Sequence, residues 1–167
     1  NAEMLNQTNL FRQHGLGSFR AMTRALTTDP AMLQFLDGMS NRRGAVNENY
    51  ARELMELFCL GADRGAYTEN DVRELARALT GWRADYNNGW VNWRWDEDGR
   101  WDFKYKTVFG KTGRFTWQDA VELVLAHPLH PSFFVRKLWS YFIPTPPSAA
   151  TSQALEALYV SSGLQIR

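Results

Sequence analysis

The sequence predicts a mainly α fold: a multi-helix orthogonal or antiparallel bundle of about seven helices, with one aromatic β-hairpin inserted at about residues 91–106. Three observations predict it. Apolar residues recur at helical spacing in two neighbouring segments between Asn47 and Trp82, each bounded by capping chemistry. The period then shortens to two, with Val91, Trp93 and Trp95 alternating with Asn92 and Arg94. Further helical stretches, each with its own cap and stop, flank both regions.

Taken in order, Glu3 to His14 has a weak helical period closed by Gly15 and Gly17. Ser18 caps a helix through Leu26, with Phe19, Met22 and Leu26 on one side. Thr28 or Asp29 caps the next, Pro30 takes its first position, and Met32, Leu33, Phe35 and Leu36 pack it. Met39 to Val46 is a polar loop, where Arg42 and Arg43 either hold an anion or are simply solvated.

Asn47 is the expected cap of the central pair. At 100° steps, Leu57, Tyr50, Leu54, Phe58, Ala51 and Met55 share one arc, with Leu60 a misfit and Cys59 on the polar side. Thr68 and Asp71 frame a capping box for the second helix, whose apolar arc is Ala78, Trp82, Leu75, Leu79, Val72 and Ala76. The charges admit two readings. Glu48, Arg52 and Glu56 at i,i+4 spacing, with Arg73 and Arg77, make either a solvated face or a buried network of Glu53, Arg52 and Arg77 suited to an anion.

The alternation at 91–95 resumes at Trp101, Phe103 and Tyr105, so the predicted hairpin pairs Trp95 with Trp101, Trp93 with Phe103 and Val91 with Tyr105. Its aromatic face covers the helical core or forms a platform for sugar rings or for another protein, with Trp90 and Trp93 the candidates for binding. Asp96 and Asp98 in the connecting loop are oxygen ligands of the kind calcium uses, but their spacing misses the EF-hand pattern. Lys106 to Gly113 lacks the glycine spacing of a phosphate-binding loop.

Thr116 caps a helix buried through Trp117, Ala120, Val121, Val124 and Leu125. His127 and His130 lie three apart, as a metal pair would, yet each precedes a proline and no third ligand follows, so a helix stop and start explains them. The next helix turns Phe134, Leu138, Tyr141 and Phe142 inward, and the last buries Leu155, Leu158 and Tyr159.

Composition limits the function classes. At 167 residues, 44% hydrophobic and 22% charged, residues 1–167 make a single helical domain. A net charge of +1 and no basic run interleaved with aromatics exclude a nucleic-acid partner. No apolar run reaches the length of a membrane span. Cys59 stands alone, which excludes a disulfide framework or thiol-rich metal site. There is no starting Met or signal pattern, and the expectation is a fragment of a longer protein.

Several long motifs in order carry a resemblance: Asp29–Asp37, Asn47–Gly61, Tyr67–Trp82, Lys106–Gly113 and His130–Ser148. Across nearly the whole chain the sequence resembles the bacterial family catalogued as domain of unknown function 1800 (DUF1800). That resemblance implies a mostly helical, longer, exported or periplasmic protein and brings no assigned activity. Where the family commonly reads His-Asp-x-Gly-x-Lys, this chain has Trp101-Asp102-Phe103-Lys104-Tyr105-Lys106: Asp102 and Lys106 are kept, the histidine and glycine are not.

The expected function is a scaffold or binding module, with the remaining segments of a parent chain, another protein or a polysaccharide as partners, and no cofactor. One alternative is a hydrolase-like or metal-dependent enzyme built from Glu53, Arg52, Arg77, Asp102 and Lys106. The other is carbohydrate recognition through exposed tryptophans, with Trp90, Trp93 and Arg73 the ligand-binding candidates.

Overall fold

The computed structural model describes residues 2–85, 90–93 and 99–167, and for 84, 85 and 90–93 the backbone alone. The fold is mainly α with a small antiparallel component, as the periodicity predicts. Its helices are α1 (Ala2–His14), α2 (Phe19–Thr27), α3 (Pro30–Phe35), α4 (Asn49–Glu53), α5 (Glu69–Ala78), α6 (Trp117–Leu125), α7 (His130–Phe142) and α8 (Ala149–Ser161). A π-helical stretch, Leu54–Cys59, continues α4. The strands are β1 (Trp82–Asp85), β2 (Trp90–Trp93), β3 (Lys106–Val108) and β4 (Lys111–Gly113). No helix among the described residues is long and apolar enough to cross a membrane.

Local chemistry sets the boundaries. Ser18, Asp29 and Ser148 each accept the backbone N–H three residues on, at 3.2, 2.9 and 3.1 Å. Asn47 accepts from Asn49 N at 2.9 Å. Thr68 with Asp71, and Thr116 with Asp119, close reciprocal capping boxes at α5 and α6. The core lies where α2, α4, the π stretch, α5 and α6 meet, with Leu54, Met55, Leu75, Val72, Val121 and Val124 fully buried.

The π stretch corrects the helical-wheel assignment around Cys59. Leu60 N reaches back five residues to Met55 O at 2.7 Å, so everything beyond is rotated relative to an α-helix. Cys59 and Leu60 therefore turn into the core, each 0% exposed, while Leu57 turns out at 52%. Burial pushes the Cys59 thiol up, which keeps it protonated and inert.

The hairpin register also differs from expectation. β2 pairs with β1, Trp82 opposite Trp93 and Ala84 opposite Val91, so Trp93 does not face Phe103 and Val91 does not face Tyr105. The expected pairing of Trp95 with Trp101 lies outside the described residues. Residues 101–105 form no strand, and their rings part company: Trp101 is buried, Phe103 and Tyr105 exposed. β3 and β4 make a second hairpin, turning through Phe109 and Gly110, both at positive φ (49° and 73°). α5 anchors it, since Asp71 accepts from Phe109 N at 2.8 Å and Glu74 from Thr107 N at 3.0 Å.

Several residues expected in the core face outward. Tyr141 and Phe142 of α7 are 75% and 77% exposed, Leu158 of α8 is 64% and Phe35 at the end of α3 is 79%. α7 and α8 pack on one another, and their apolar residues outnumber the positions that this contact and the core can cover.

Candidate functional site

The five charged residues expected in one polar site separate into distinct places. Arg77, Asp102 and Lys106 come together; Arg52 belongs to another network, and half-buried Glu53 enters no ion pair among the described residues.

Around Asp102, three stretches of chain converge. Arg77 Nε donates to Asp102 Oδ2 at 2.7 Å, and its Nη1 donates to both carboxylate oxygens of Glu74 at 2.8 Å. The i,i+3 spacing on α5 places Glu74 and Arg77 on one row, and Thr80 just beyond accepts from Asp102 N at 2.8 Å. Asp102 Oδ1 accepts from Lys104 N at 2.9 Å. Lys106 Nζ donates to the carbonyls of Asp102 and Lys104 and lies 5.2 Å from the centre of the Trp101 ring. Burial alone would raise the Asp102 carboxyl, but the Arg77 hydrogen bond, the Lys104 amide and both cations hold it below its ordinary value. The Arg77 guanidinium is raised, chiefly by its hydrogen bond to Asp102. Sequence reasoning missed Glu74, Thr80 and Trp101. Only the 74–77 spacing signalled the first.

Lys106 is 1% exposed, so no substrate reaches its amine in this conformation. The cluster ties the 101–106 segment onto α5. Burial pushes the ammonium down to about 8, against 10.5 in water. Between those values the unfolded chain binds the extra proton, so stability rises with pH, by about 3 kcal/mol across the window. Urea unfolding from pH 7 to 10 should show wild type gaining on Lys106→Met from about pH 8 upward. A constant difference between them would place the ammonium in solvent.

Arg52 is the hub of the second network. It grips Glu69 through two bonds of 2.9 and 2.6 Å and reaches Glu48 and Glu56 at 3.4 Å. Its guanidinium is raised, and Glu69 lowered, by their mutual hydrogen bonds. Glu69 sits on the surface at α5's first turn, where a carboxylate suits the helix dipole. This is the solvated charge face, extended to a partner on the next helix. Arg73 is exposed on α5.

The two histidines serve the fold. His130 is completely buried. Its Nδ1 lies 2.9 Å from Cys59 O and its Nε2 3.1 Å from Tyr159 Oη. A carbonyl only accepts, so Nδ1 carries the proton and Nε2 accepts from the tyrosine. Lys137 Nζ on Leu57 O and Arg64 Nη1 on Leu60 O (2.9 Å) answer two more carbonyls at the same helix end. His127 accepts from Leu129 N at 3.2 Å and bonds the Ala66 backbone, so both of its nitrogens are engaged too. No group of three His, Cys, Asp or Glu among the described residues is placed to hold a metal. Asp96 and Asp98 lie outside the described residues, as do the side chains of Trp90 and Trp93.

Two of the open clefts are lined almost wholly by apolar side chains. Phe134, Leu138, Trp139, Phe142, Ile143, Leu155 and Leu158 line a cleft of about 490 Å³ between α7 and α8. On the opposite flank of Leu138, Phe11, Met22, Leu57, Phe58 and Tyr141 help line another of about 270 Å³. Helix α7 is thus a ridge between two greasy furrows.

No curated protein and no solved structure matches the chain. A family model described as protein of unknown function (DUF1800) matches residues 1–167.

Proposed function

We propose, for a chain that belongs to the DUF1800 family along residues 1–167, that it is a non-catalytic binding module whose α7–α8 face docks an apolar polypeptide surface. The observation that carries this reading is the α7 ridge, where Tyr141 and Phe142 are three-quarters exposed, the first at the 270 Å³ cleft and the second at the 490 Å³ one. Soluble monomers rarely leave such contiguous apolar area in water, and where they do it marks a contact. Aromatic anchors next to preformed furrows are also the usual centre of protein interfaces. The occupant we favour is a further segment of a parent chain, and the setting is an exported protein, as the resemblance implies. A catalytic reading has less support, because the ionisable cluster around Lys106 is enclosed.

Phe142→Asp with Leu158→Lys tests the idea. Both positions are exposed, so the 167-residue chain should keep its unfolding midpoint, within about 1 kcal/mol. It should lose binding of the apolar dye ANS, and the same pair of changes in the parent protein should lower stability well beyond that. Equal, small effects in chain and parent would leave the face without a partner in that protein.

A further inference from the structure

Helix α7, the linker after it and α8 together line a further cleft, of about 710 Å³. Arg136 and Trp139 stand one turn apart on α7; Ser152 and Glu156 stand one turn apart on α8, with Gln153 between them. Pro144, Pro146 and Pro147 of the linker add stiff apolar rings to the lining.

Four of these side chains end in polar groups that the chain leaves unused. The Arg136 guanidinium, Ser152 hydroxyl, Gln153 amide and Glu156 carboxylate make no hydrogen bond or ion pair among the described residues. Ser152 is the most telling of them. It is nine-tenths buried, at 8% exposed, yet its hydroxyl on the cleft wall has no partner among those residues. A sheltered polar group is normally satisfied, so what answers this one must enter the cleft. Arg64 acts on Glu156 only through space, since its own N–H groups go to Leu60 O, Leu129 O and Ser132 Oγ.

One cation and one anion line the cleft, which therefore selects for neither sign of charge. Its free groups instead mix donors with acceptors: guanidinium and amide N–H on one side, carboxylate and amide oxygens on the other, and a hydroxyl that is both. Trp139 supplies an apolar floor. Its Nε1 donates to Thr145 O at 2.8 Å, which fixes the indole and consumes its single donor, leaving the ring face for a ligand. That face carries negative potential and attracts the C–H groups of a pyranose, whose hydroxyls both donate and accept. From this combination we infer that the cleft is a binding site for a neutral saccharide, with one sugar ring lying on Trp139. A proline-rich peptide is the other ligand of aromatic clefts, but its carbonyls need donors, and the indole N–H is already taken.

Calorimetric titration of the full 167-residue chain with cellohexaose and with mannohexaose tests the site. At least one should bind with a Kd below about 1 mM. Gln153→Ala with Glu156→Ala should weaken that sugar at least ~10-fold while the unfolding midpoint holds, because neither side chain has a partner to lose. The control pair Gln34→Ala with Asp63→Asn, exposed and outside the cleft, should change binding less than about twofold. In chain labelled with 5-fluorotryptophan, the fluorine resonance missing from Trp139→Phe should be the one that shifts when the sugar is added. The inference is overturned if neither hexaose binds, if the control loses as much as the cleft pair, or if the Trp139 signal stays still. Decaproline bound in place of both sugars would also overturn it and assign the cleft to a peptide. Phe142 and Leu158 do not line this cleft, so its failure is separate from that of the apolar face.

Discussion

Replacing His130 by alanine is expected to cost about 3–5 kcal/mol of unfolding free energy, the largest loss from any single histidine in the chain. The substitution combines a cavity in a packed region with two orphaned polar groups. The ring stacks on Phe19 at 5.4 Å and lies near Phe134 and Tyr159, so deletion unseats an aromatic cluster. It also leaves Cys59 O and Tyr159 Oη without their partner. Tyr159→Phe should cost only part of this, since the ring remains. Urea denaturation at pH 7.5 measures both, and an alanine effect below about 1 kcal/mol would mean that His130 is no keystone. A pH series adds an independent check. Burial holds the imidazole below its ordinary 6.5, reinforced by His127 and opposed by the Cys59 bond. Below pH 6.5 the unfolded chain therefore binds the proton first, and stability falls as pH drops toward the lower folded value. His130→Ala should flatten that slope, leaving the share owed to His127, which burial also depresses.

Asp102→Ala is the second large effect, about 3 kcal/mol, because it leaves the Arg77 Nε without its acceptor in a largely buried position, with Glu74 the one carboxylate still on that guanidinium. The side chains of Asp102 and Arg77 are 8% and 17% exposed. Loss of the carboxylate also leaves the Lys104 amide without its acceptor and cuts the side-chain tie from the 101–106 segment to Arg77. Asp102→Asn, keeping one acceptor oxygen, should recover a fraction. The folded Asp102 carboxyl lies below 3.8, so its contribution is complete above that value and disappears as pH falls through the folded one. The acid limb of the stability profile should be correspondingly shallower in the alanine variant. Arg52→Ala is the contrast, since its closest partner Glu69 is on the surface, and should move the midpoint little. If the two variants were equally mild, Asp102 would be no better sheltered than a surface carboxylate.

Capping chemistry was legible because it is local. Thr68 and Asp71 stand three apart and satisfy each other's backbone whatever surrounds them. The core face of α5 was legible for the same reason: Val72, Leu75, Ala76 and Leu79 recur at an unbroken α period. The period broke in the helix before it. A wheel turned at 100° placed Leu57 inside and Cys59 outside, and the π geometry reverses both; Leu60's misfit was the visible trace. Strand pairing failed differently. Alternation at 91–95 and 101–105 predicts one hairpin, while the Asn88-Gly89 pair, a strong turn signal, sits between the strands that do pair. Among the site candidates, Arg77, Asp102 and Lys106 are grouped by the sequence reading together with Arg52 and Glu53; what separates the first three from the other two is nonlocal, since it depends on 101–106 folding back as an irregular segment.

The wide turn at Leu54–Cys59 holds a residue of slack in an otherwise taut rod. Letting that residue go would screw the downstream end through a fraction of a revolution, swapping Leu57 for Cys59 at the core. The brake on this slippage is supplied from elsewhere in the chain, by Lys137 and His130 of α7 and by Arg64.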